Sequence, residues 1–118
     1  MDSIVEKSLL FDFYGELLTE HQKTVYSEYI QNDLSVTEMA GLLGISRQGA
    51  HDMIRRCEKI LNGYEKRLAL VSRYRKVKKM VKEIQQCAIE LKDCEDRDLL
   101  HARAARIAEL SGDILEEY

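Results

Sequence analysis

The second half of the chain carries a long run of evenly spaced apolar residues with no helix breaker among them. These residues alternate at intervals of four and three: Leu70, Tyr74, Val77, Val81, Ile84, Ala88 and Leu91. This is the a/d spacing of a coiled coil or helical hairpin over three heptads. The 118 residues include no proline, which would break a helix interior, and only six glycines. The chain is therefore predicted to be all-α.

Two capping boxes mark helix starts in the first half of the chain. Thr19 is followed three residues later by Gln22, and Ser35 by Glu38. In such a pair the hydroxyl accepts from the third backbone amide of the helix, and the longer side chain reaches back to the cap. The predicted helices cover about residues 3–18, 19–31 and 35–43.

A glycine turn follows the third helix. Gly44 stands where a left-handed C-cap is needed, and Ser46 caps a fourth helix that is predicted to run to about Asn62 and to end at Gly63. Residues 1–63 are thus predicted to form a helix-turn-helix domain. Residues 64–118 are predicted to form a long helical extension that turns near residues 93–98 and packs on the same core or on a partner subunit.

The segment from Val36 to Met53 has helix-turn-helix spacing. A small residue, Ala40, is followed by Gly44 four residues later and by apolar residues ten and thirteen residues later, at Ala50 and Met53. Such a turn holds the second helix so that its outer side can enter the major groove. A purely structural two-helix corner is the alternative, because any tight corner can use this spacing.

The predicted nucleic-acid-binding residues lie on the helix that begins at Ser46: Ser46, Arg47, Gln48, Gly49, His51, Arg55 and Arg56. Glutamine can contact adenine and arginine guanine through two hydrogen bonds each. Ser46 and the helix N-terminus can meet a phosphate, and Gly49 allows the backbone to approach closely. Asp52 on the same face would repel phosphates, which counts against this interpretation.

The charge is unevenly distributed. The net charge is −3, yet residues 64–82 hold eight basic side chains and one acidic one. A secondary basic patch is predicted at Arg73, Lys76, Lys79 and Lys82. This patch could follow a nucleic-acid backbone, be a solvated face, or pair with the acidic C-terminal segment of the same or a second chain.

No pattern for catalysis or for a cofactor is present in the sequence. The three cysteines, Cys57, Cys87 and Cys94, do not have zinc-ligand spacing, and an odd number favours free thiols in a reducing compartment. No phosphate-cradling glycine loop or catalytic pair occurs. The N-terminus lacks secretion-signal character, and no apolar run is long enough to cross a membrane. The sequence predicts a cytoplasmic protein that is not an enzyme and needs no cofactor.

Particular residues resemble known families. The segments Leu18–Gln22, Leu34–Ala40 and Gly44–Ser46 resemble the C-terminal helix-turn-helix region, region 4, of bacterial sigma factors. The continuation Ser46–Arg56, ending near Leu68, is more specifically similar to the YlxM family. These are small bacterial proteins whose gene usually neighbours those for the signal recognition particle GTPase and its receptor. The resemblance covers about residues 1–70.

The resemblance implies an all-helical, dimeric, DNA-binding or regulatory protein connected to the signal recognition particle pathway. The leading hypothesis is a homodimeric helix-turn-helix regulator that binds duplex DNA. A second hypothesis is an adaptor that binds signal recognition particle RNA or the GTPase. A third is a helical scaffold whose corner touches no nucleic acid.

Overall fold

The computed structural model describes residues 3–118, and within them the chain forms six α-helices and no strand. The helices are α1 (Ile4–Tyr14), α2 (Glu20–Gln31), α3 (Val36–Leu43), α4 (Arg47–Leu68), α5 (Leu70–Lys92) and α6 (Arg97–Glu116), with a short 3-10 turn at Gly15–Leu17. The all-α prediction is confirmed. None of the helices in this range is both long enough and apolar enough to cross a membrane.

The helix starts follow the predicted caps. Thr19 Oγ1 accepts from the Gln22 amide at 3.2 Å, and Gln22 Oε1 accepts from the Thr19 amide at 3.1 Å. Ser35 and Glu38 make the same reciprocal pair at 3.1 and 3.2 Å. Both capping boxes are confirmed, and each satisfies two amides that the first helical turn leaves without a partner.

The core of the first compact unit, which ends at Val71, is built around α4. This helix packs against α1, α2 and α3 through one buried face. The largest fully buried side chains of this unit are Tyr14, Tyr26, Met39, Leu61 and Cys57. Burial of an apolar side chain of leucine or methionine size contributes roughly 1.5–3 kcal/mol, so this face accounts for much of the unit's cohesion.

The predicted end of the fourth helix at Gly63 is wrong. The helix continues through Gly63 to Leu68, and it ends where Ala69 takes a left-handed backbone with φ of 54°. A glycine inside a helix costs about 1 kcal/mol relative to alanine, which is too little to stop a helix whose opposite face is buried. The first compact unit ends at Val71, three residues after the end of this helix.

The second unit, Ser72–Tyr118, contains most of α5 and all of α6. Of the predicted seam on α5, Val77, Ile84 and Leu91 are half-buried, whereas Tyr74 and Val81 are 37% and 50% exposed. The inward positions between the half-buried ones are instead Met80 and Cys87. Residues 77, 84 and 91 belong to two possible stripes at heptad spacing, one completed by Tyr74 and Val81 and the other by Met80 and Cys87. Only the stripe with Met80 and Cys87 packs within this unit. Within this unit the predicted seam is therefore packed at residues 77, 84 and 91 and exposed at Tyr74 and Val81.

Heptad spacing also predicts a seam on α6, with Leu110 filling it beside Ser111, and this prediction is correct near the middle of the helix and wrong at other positions. The predicted seam is Leu100, Ala104, Ile107, Ile114 and Tyr118. Leu110 is 2% exposed, which confirms that it fills the seam beside Ser111. Ala104 is exposed and Tyr118 is 82% exposed, so neither packs as predicted. The chain turns before Asp96, whose carboxylate accepts from the amides of residues 98 and 99 and starts α6.

Candidate nucleic-acid interface

The turn between α3 and α4 is a left-handed glycine cap. Gly44 has φ of 67° and ψ of 31°, a conformation that a side chain would strain. The amides of Gly44 and Ile45 both donate to the carbonyl of Ala40, the second at 3.1 Å. These bonds satisfy the end of α3 and fix where α4 begins, which confirms the predicted C-cap.

Most of the residues that the sequence predicts for the apolar interior of this corner lie in it. The predicted set is Met39, Leu43, Ile45, Ala50, Met53 and Ile54. Met39, Ala50 and Ile54 are at most 4% exposed, and Leu43 and Met53 are half-buried. The prediction that Ile45 belongs to this interior is wrong, because Ile45 is 40% exposed. Ile45 lies in the turn rather than on a helix, so its side chain lies over the first turn of α4 and not between the helices.

The side of α4 opposite the buried face is exposed and mostly polar. Ala50, Ile54, Cys57 and Leu61 are the buried residues of α4. The predicted binding residues Arg47, Gln48, His51, Arg55 and Arg56 are all exposed. The first turn of α4 contains no acidic residue, so the positive end of the helix dipole is open to an anion. The arrangement can present cations and hydrogen-bonding groups to a polyanion.

Ser46 and Gly49 have a local structural role. Ser46 Oγ accepts from the Gly49 amide at 3.0 Å, which makes Ser46 the N-cap of α4 as predicted. A Cβ at Gly49 would lie 3.2 Å from that Oγ, closer than ordinary contact. Gly49 is half-buried, so the structure assigns it to the helix start and gives no reason to place it on the outer face.

A carboxylate occupies the middle of the outer face. Gln48 Nε2 donates a hydrogen bond of 3.0 Å to Asp52 Oδ1. His51 Nδ1 lies 4.0 Å from the same oxygen, a contact that becomes an ion pair only when the imidazole is protonated. The three side chains thus form one cluster, and Arg55 and Arg56 follow it on the next turn.

Sequence reasoning missed Lys59. It lies one helical turn after Arg55 and is exposed, so it extends the cationic face along α4. Because the four-residue spacing from Arg55 is visible in the sequence, continuing the helical register past the first two turns would have identified Lys59.

The predicted patch on α5 does not form a single stripe. Steps of three residues rotate by about 60° each on an α-helix, so Arg73, Lys76, Lys79 and Lys82 spiral around the axis. Lys76 Nζ forms an ion pair with Glu117, and Arg73 Nε lies 3.9 Å from the same carboxylate. The hydrogen bond to Glu117 raises the pKa of Lys76. Lys79 and Lys82 are exposed, so pairing with the acidic C-terminal segment of the same chain involves two of the four residues.

The thiols give no sign of a reactive or metal-binding site. Cys57 and Cys87 are buried, and burial raises the pKa of Cys57. A raised pKa disfavours the nucleophilic thiolate. Among residues 3–118, no three histidine, cysteine or acidic side chains come together in a way that could hold a metal ion.

Comparison with known proteins places this geometry in a family. The family model UPF0122, described as "Putative helix-turn-helix protein, YlxM / p13 like", matches residues 1–100. A UPF0122 protein of Acetivibrio thermocellus is 38% identical over 93% of this chain and 97% of its own length. UPF0122 proteins of Caldanaerobacter subterraneus subsp. tengcongensis and Clostridium acetobutylicum are each 40% identical, over 73% and 83% of this chain and 74% and 85% of their own lengths.

Proposed function

This chain belongs to the YlxM/p13-like family of helix-turn-helix proteins, and from that membership we propose that it is a non-enzymatic regulator that binds duplex DNA. In this proposal α4 lies in the major groove and the N-terminus of α4 faces a phosphate. The protein acts in the cytoplasm, where the DNA is accessible, and it needs no cofactor.

One observation carries the proposal: Gln48 and Arg55 are exposed on the side of α4 that faces away from the core, and Arg47 is exposed at the N-terminus of the helix. Had these side chains packed against a neighbouring helix of this unit, the corner could only be structural. Their types match the donor and acceptor pattern of base edges, and the left-handed turn at Gly44 precedes the helix that carries them.

The test is a fluorescence anisotropy titration with random duplex DNA at low salt. The double substitution Arg47→Ala with Arg55→Ala is expected to weaken binding at least tenfold, because it removes two cations from the proposed contact surface. The matched control is Lys92→Ala with Arg97→Ala, which removes the same charge from exposed positions in the second unit and should change affinity less than threefold. Absence of binding by the unmodified protein would contradict the proposal.

We also propose that the regulator is a homodimer, in which α1 of one copy packs against α5 of the other. Val5 and Leu17 on or just after α1 are 59% and 53% exposed, and Val81 on α5 is 50% exposed. Asp12 is exposed on α1, and Lys82 is exposed one position after Val81. The two surfaces are thus complementary in charge as well as apolar. A two-fold dimer would present two copies of α4 to successive half-sites.

The second candidate function is an adaptor that binds signal recognition particle RNA or the GTPase of that particle. Lys79 and Lys82 favour it, because they are exposed cations outside the helix-turn-helix and would suit an RNA backbone. Competition between random duplex DNA and the particle RNA for the protein, beside a pull-down of the GTPase, separates the two functions. Tighter binding to RNA that is lost in Lys79→Ala with Lys82→Ala would favour the adaptor. If the protein binds duplex DNA and neither the particle RNA nor the GTPase, the adaptor function is excluded.

A further inference from the structure

The acidic residue in the middle of the cationic face has a structural setting that its sequence position did not reveal. Asp52 lies on the exposed side of α4, hydrogen-bonded to Gln48 and followed by Arg55 and Arg56. We infer that Asp52 is a specificity-determining residue that accepts a hydrogen bond from the exocyclic amino group of a cytosine or adenine in duplex DNA. The inference rests on the proposed function.

The charge of Asp52 restricts what can face it. Phosphate oxygens are hydrogen-bond acceptors and carry negative charge, so a carboxylate opposite the DNA backbone would be repelled. In the major groove the donors on base edges are the N4 amino group of cytosine and the N6 amino group of adenine. If α4 enters the groove, these amino groups are the parts of the DNA that can meet Asp52 without repulsion. The residue that weakens the case for non-specific binding therefore supports sequence-specific binding.

The contact with Gln48 leaves both side chains able to bind. An ionised carboxylate has about four acceptor positions, and Gln48 uses one of those on Asp52. The Gln48 amide keeps its oxygen and its second N–H, which are the two groups needed to contact adenine. Asp52 thus holds the Gln48 amide in one orientation and keeps acceptor positions of its own.

The spacing places the two contacts close together on the DNA. Residues four apart on a helix are displaced by about 6 Å along its axis, and neighbouring base pairs are about 3.4 Å apart. Gln48 and Asp52 are therefore expected to read base pairs within one or two steps of each other. The exposed fractions of the Asp52 and His51 side chains, 59% and 46%, leave room for such an approach.

The experiment first selects preferred sites for the unmodified protein from a randomised duplex library. Affinities for the selected site and for single base-pair variants of it are then measured for the unmodified protein, Asp52→Ala and Asp52→Asn. Asp93→Ala is the matched control, because it removes one exposed carboxylate that lies just after the end of α5, outside the proposed DNA and dimer contacts. Thermal unfolding of each variant establishes that it folds.

The unmodified protein is expected to prefer cytosine or adenine at one position by about fivefold or more. Asp52→Ala should reduce that preference to less than twofold while tightening binding to random duplex about twofold or more, because repulsion of phosphates is relieved. Asp52→Asn keeps an acceptor oxygen without the charge, so it should retain part of the preference. Asp93→Ala should change neither quantity.

If the unmodified protein binds duplex DNA and every base preference survives in Asp52→Ala, the specificity role is overturned and the proposed function stands. If Asp52→Ala binds random duplex more tightly and keeps every base preference, the specificity role is likewise overturned, since Asp52 would then only repel DNA. If the unmodified protein binds no duplex, the proposed function and this inference fail together.

Discussion

The hydroxyl of Tyr14 donates a hydrogen bond of 2.6 Å to Glu65 Oε1, joining the end of α1 to the end of α4. The same hydroxyl accepts from the Leu70 amide at 3.0 Å, and Glu65 Oε1 accepts from the Val71 amide at 3.0 Å. The first amides of α5 are therefore satisfied by side chains from two other helices. This arrangement takes the place of an ordinary N-cap next to the left-handed Ala69.

Removal of the Tyr14 hydroxyl should destabilise the first unit. Tyr14→Phe leaves the Leu70 amide without its acceptor in a buried setting, so we expect the free energy of unfolding to fall by about 1–2 kcal/mol. Urea denaturation followed by circular dichroism measures the change. Glu65→Gln keeps an acceptor oxygen and should cost less than Glu65→Ala. Equal losses of stability in Glu65→Gln and Glu65→Ala would mean that the hydrogen bonds accepted by Glu65 do not contribute to stability.

Stability should decline at alkaline pH. Burial raises the pKa of Tyr14 and of Tyr26 above the ordinary 10.0, and contacts with Glu65 and Glu58 raise them further. Since the unfolded tyrosines ionise first, the stability linked to these groups is complete below pH 10.0 and is lost as the pH rises toward the folded pKa values.

In Tyr26→Phe the alkaline decline in the urea midpoint should be shallower than in the unmodified protein, because one of the two linked groups is gone. Tyr118→Phe is the control, since Tyr118 is 82% exposed and should leave the decline unchanged. An equally steep decline in Tyr26→Phe would show that this hydroxyl does not contribute.

Opposite substitutions at Gly63 and Ala69 should both stabilise the protein. Nothing lies within 4 Å of a Cβ built at Gly63, which is inside α4, so Gly63→Ala should gain about 1 kcal/mol of helix propensity. Ala69 has φ of 54°, and Ala69→Gly should gain about 0.5–1 kcal/mol by relieving the left-handed backbone. Thermal unfolding measures both. A helix that ended at Gly63 would instead make Gly63→Ala destabilising, as Gly44→Ala should be.

Lys59 should contribute to affinity without contributing to sequence preference. It is exposed on the cationic side of α4 beyond Arg55, where a side chain of this type meets phosphate rather than a base edge. Lys59→Ala should weaken binding to all duplexes by a similar factor and reduce the slope of log affinity against log salt by about 0.9. Titrations at several salt concentrations test this, and a loss confined to one base sequence would contradict it.

Association of two copies should depend on α1 and α5. Val5→Asp and Val81→Asp each place a charge in the proposed apolar contact, so each should convert the dimer to a monomer in light scattering coupled to size exclusion. Leu42→Asp is the matched control, because Leu42 is 65% exposed but lies on α3. A dimer that persists in both α1 and α5 variants would place the interface elsewhere, and a monomeric unmodified protein would refute the dimer.

The helix starts could be predicted because their determinants are local. The partners of Thr19 and Ser35 lie three residues along the chain, and Gly44 supplies its own backbone freedom. The same holds for the outer face of α4, since the register of its buried residues fixes which side is exposed. This is why the sequence could place Gln48 and Arg55 on the exposed side of α4.

The remaining errors concern contacts between distant residues. The end of α4 at Ala69 is supported by Tyr14, which contacts the Leu70 amide from 56 residues away. Glu117 pairs with Lys76 across 41 residues; the sequence offered pairing with the acidic C-terminal segment as one of three alternatives and could not decide among them. The heptad spacing on α5 was equally compatible with two stripes, and the sequence could not decide which one packs against α6.

Because α4 continues through Gly63, its 22 residues form one rod of about 33 Å. The end that would lie in the groove, near Arg47, and the end that holds Glu65 belong to the same rigid body. A tilt of this rod against α1 would strain the hydrogen bonds of the Tyr14 hydroxyl at the far end, so in the proposed complex docking near Arg47 and the integrity of the α4–α5 junction would depend on each other through a single helix.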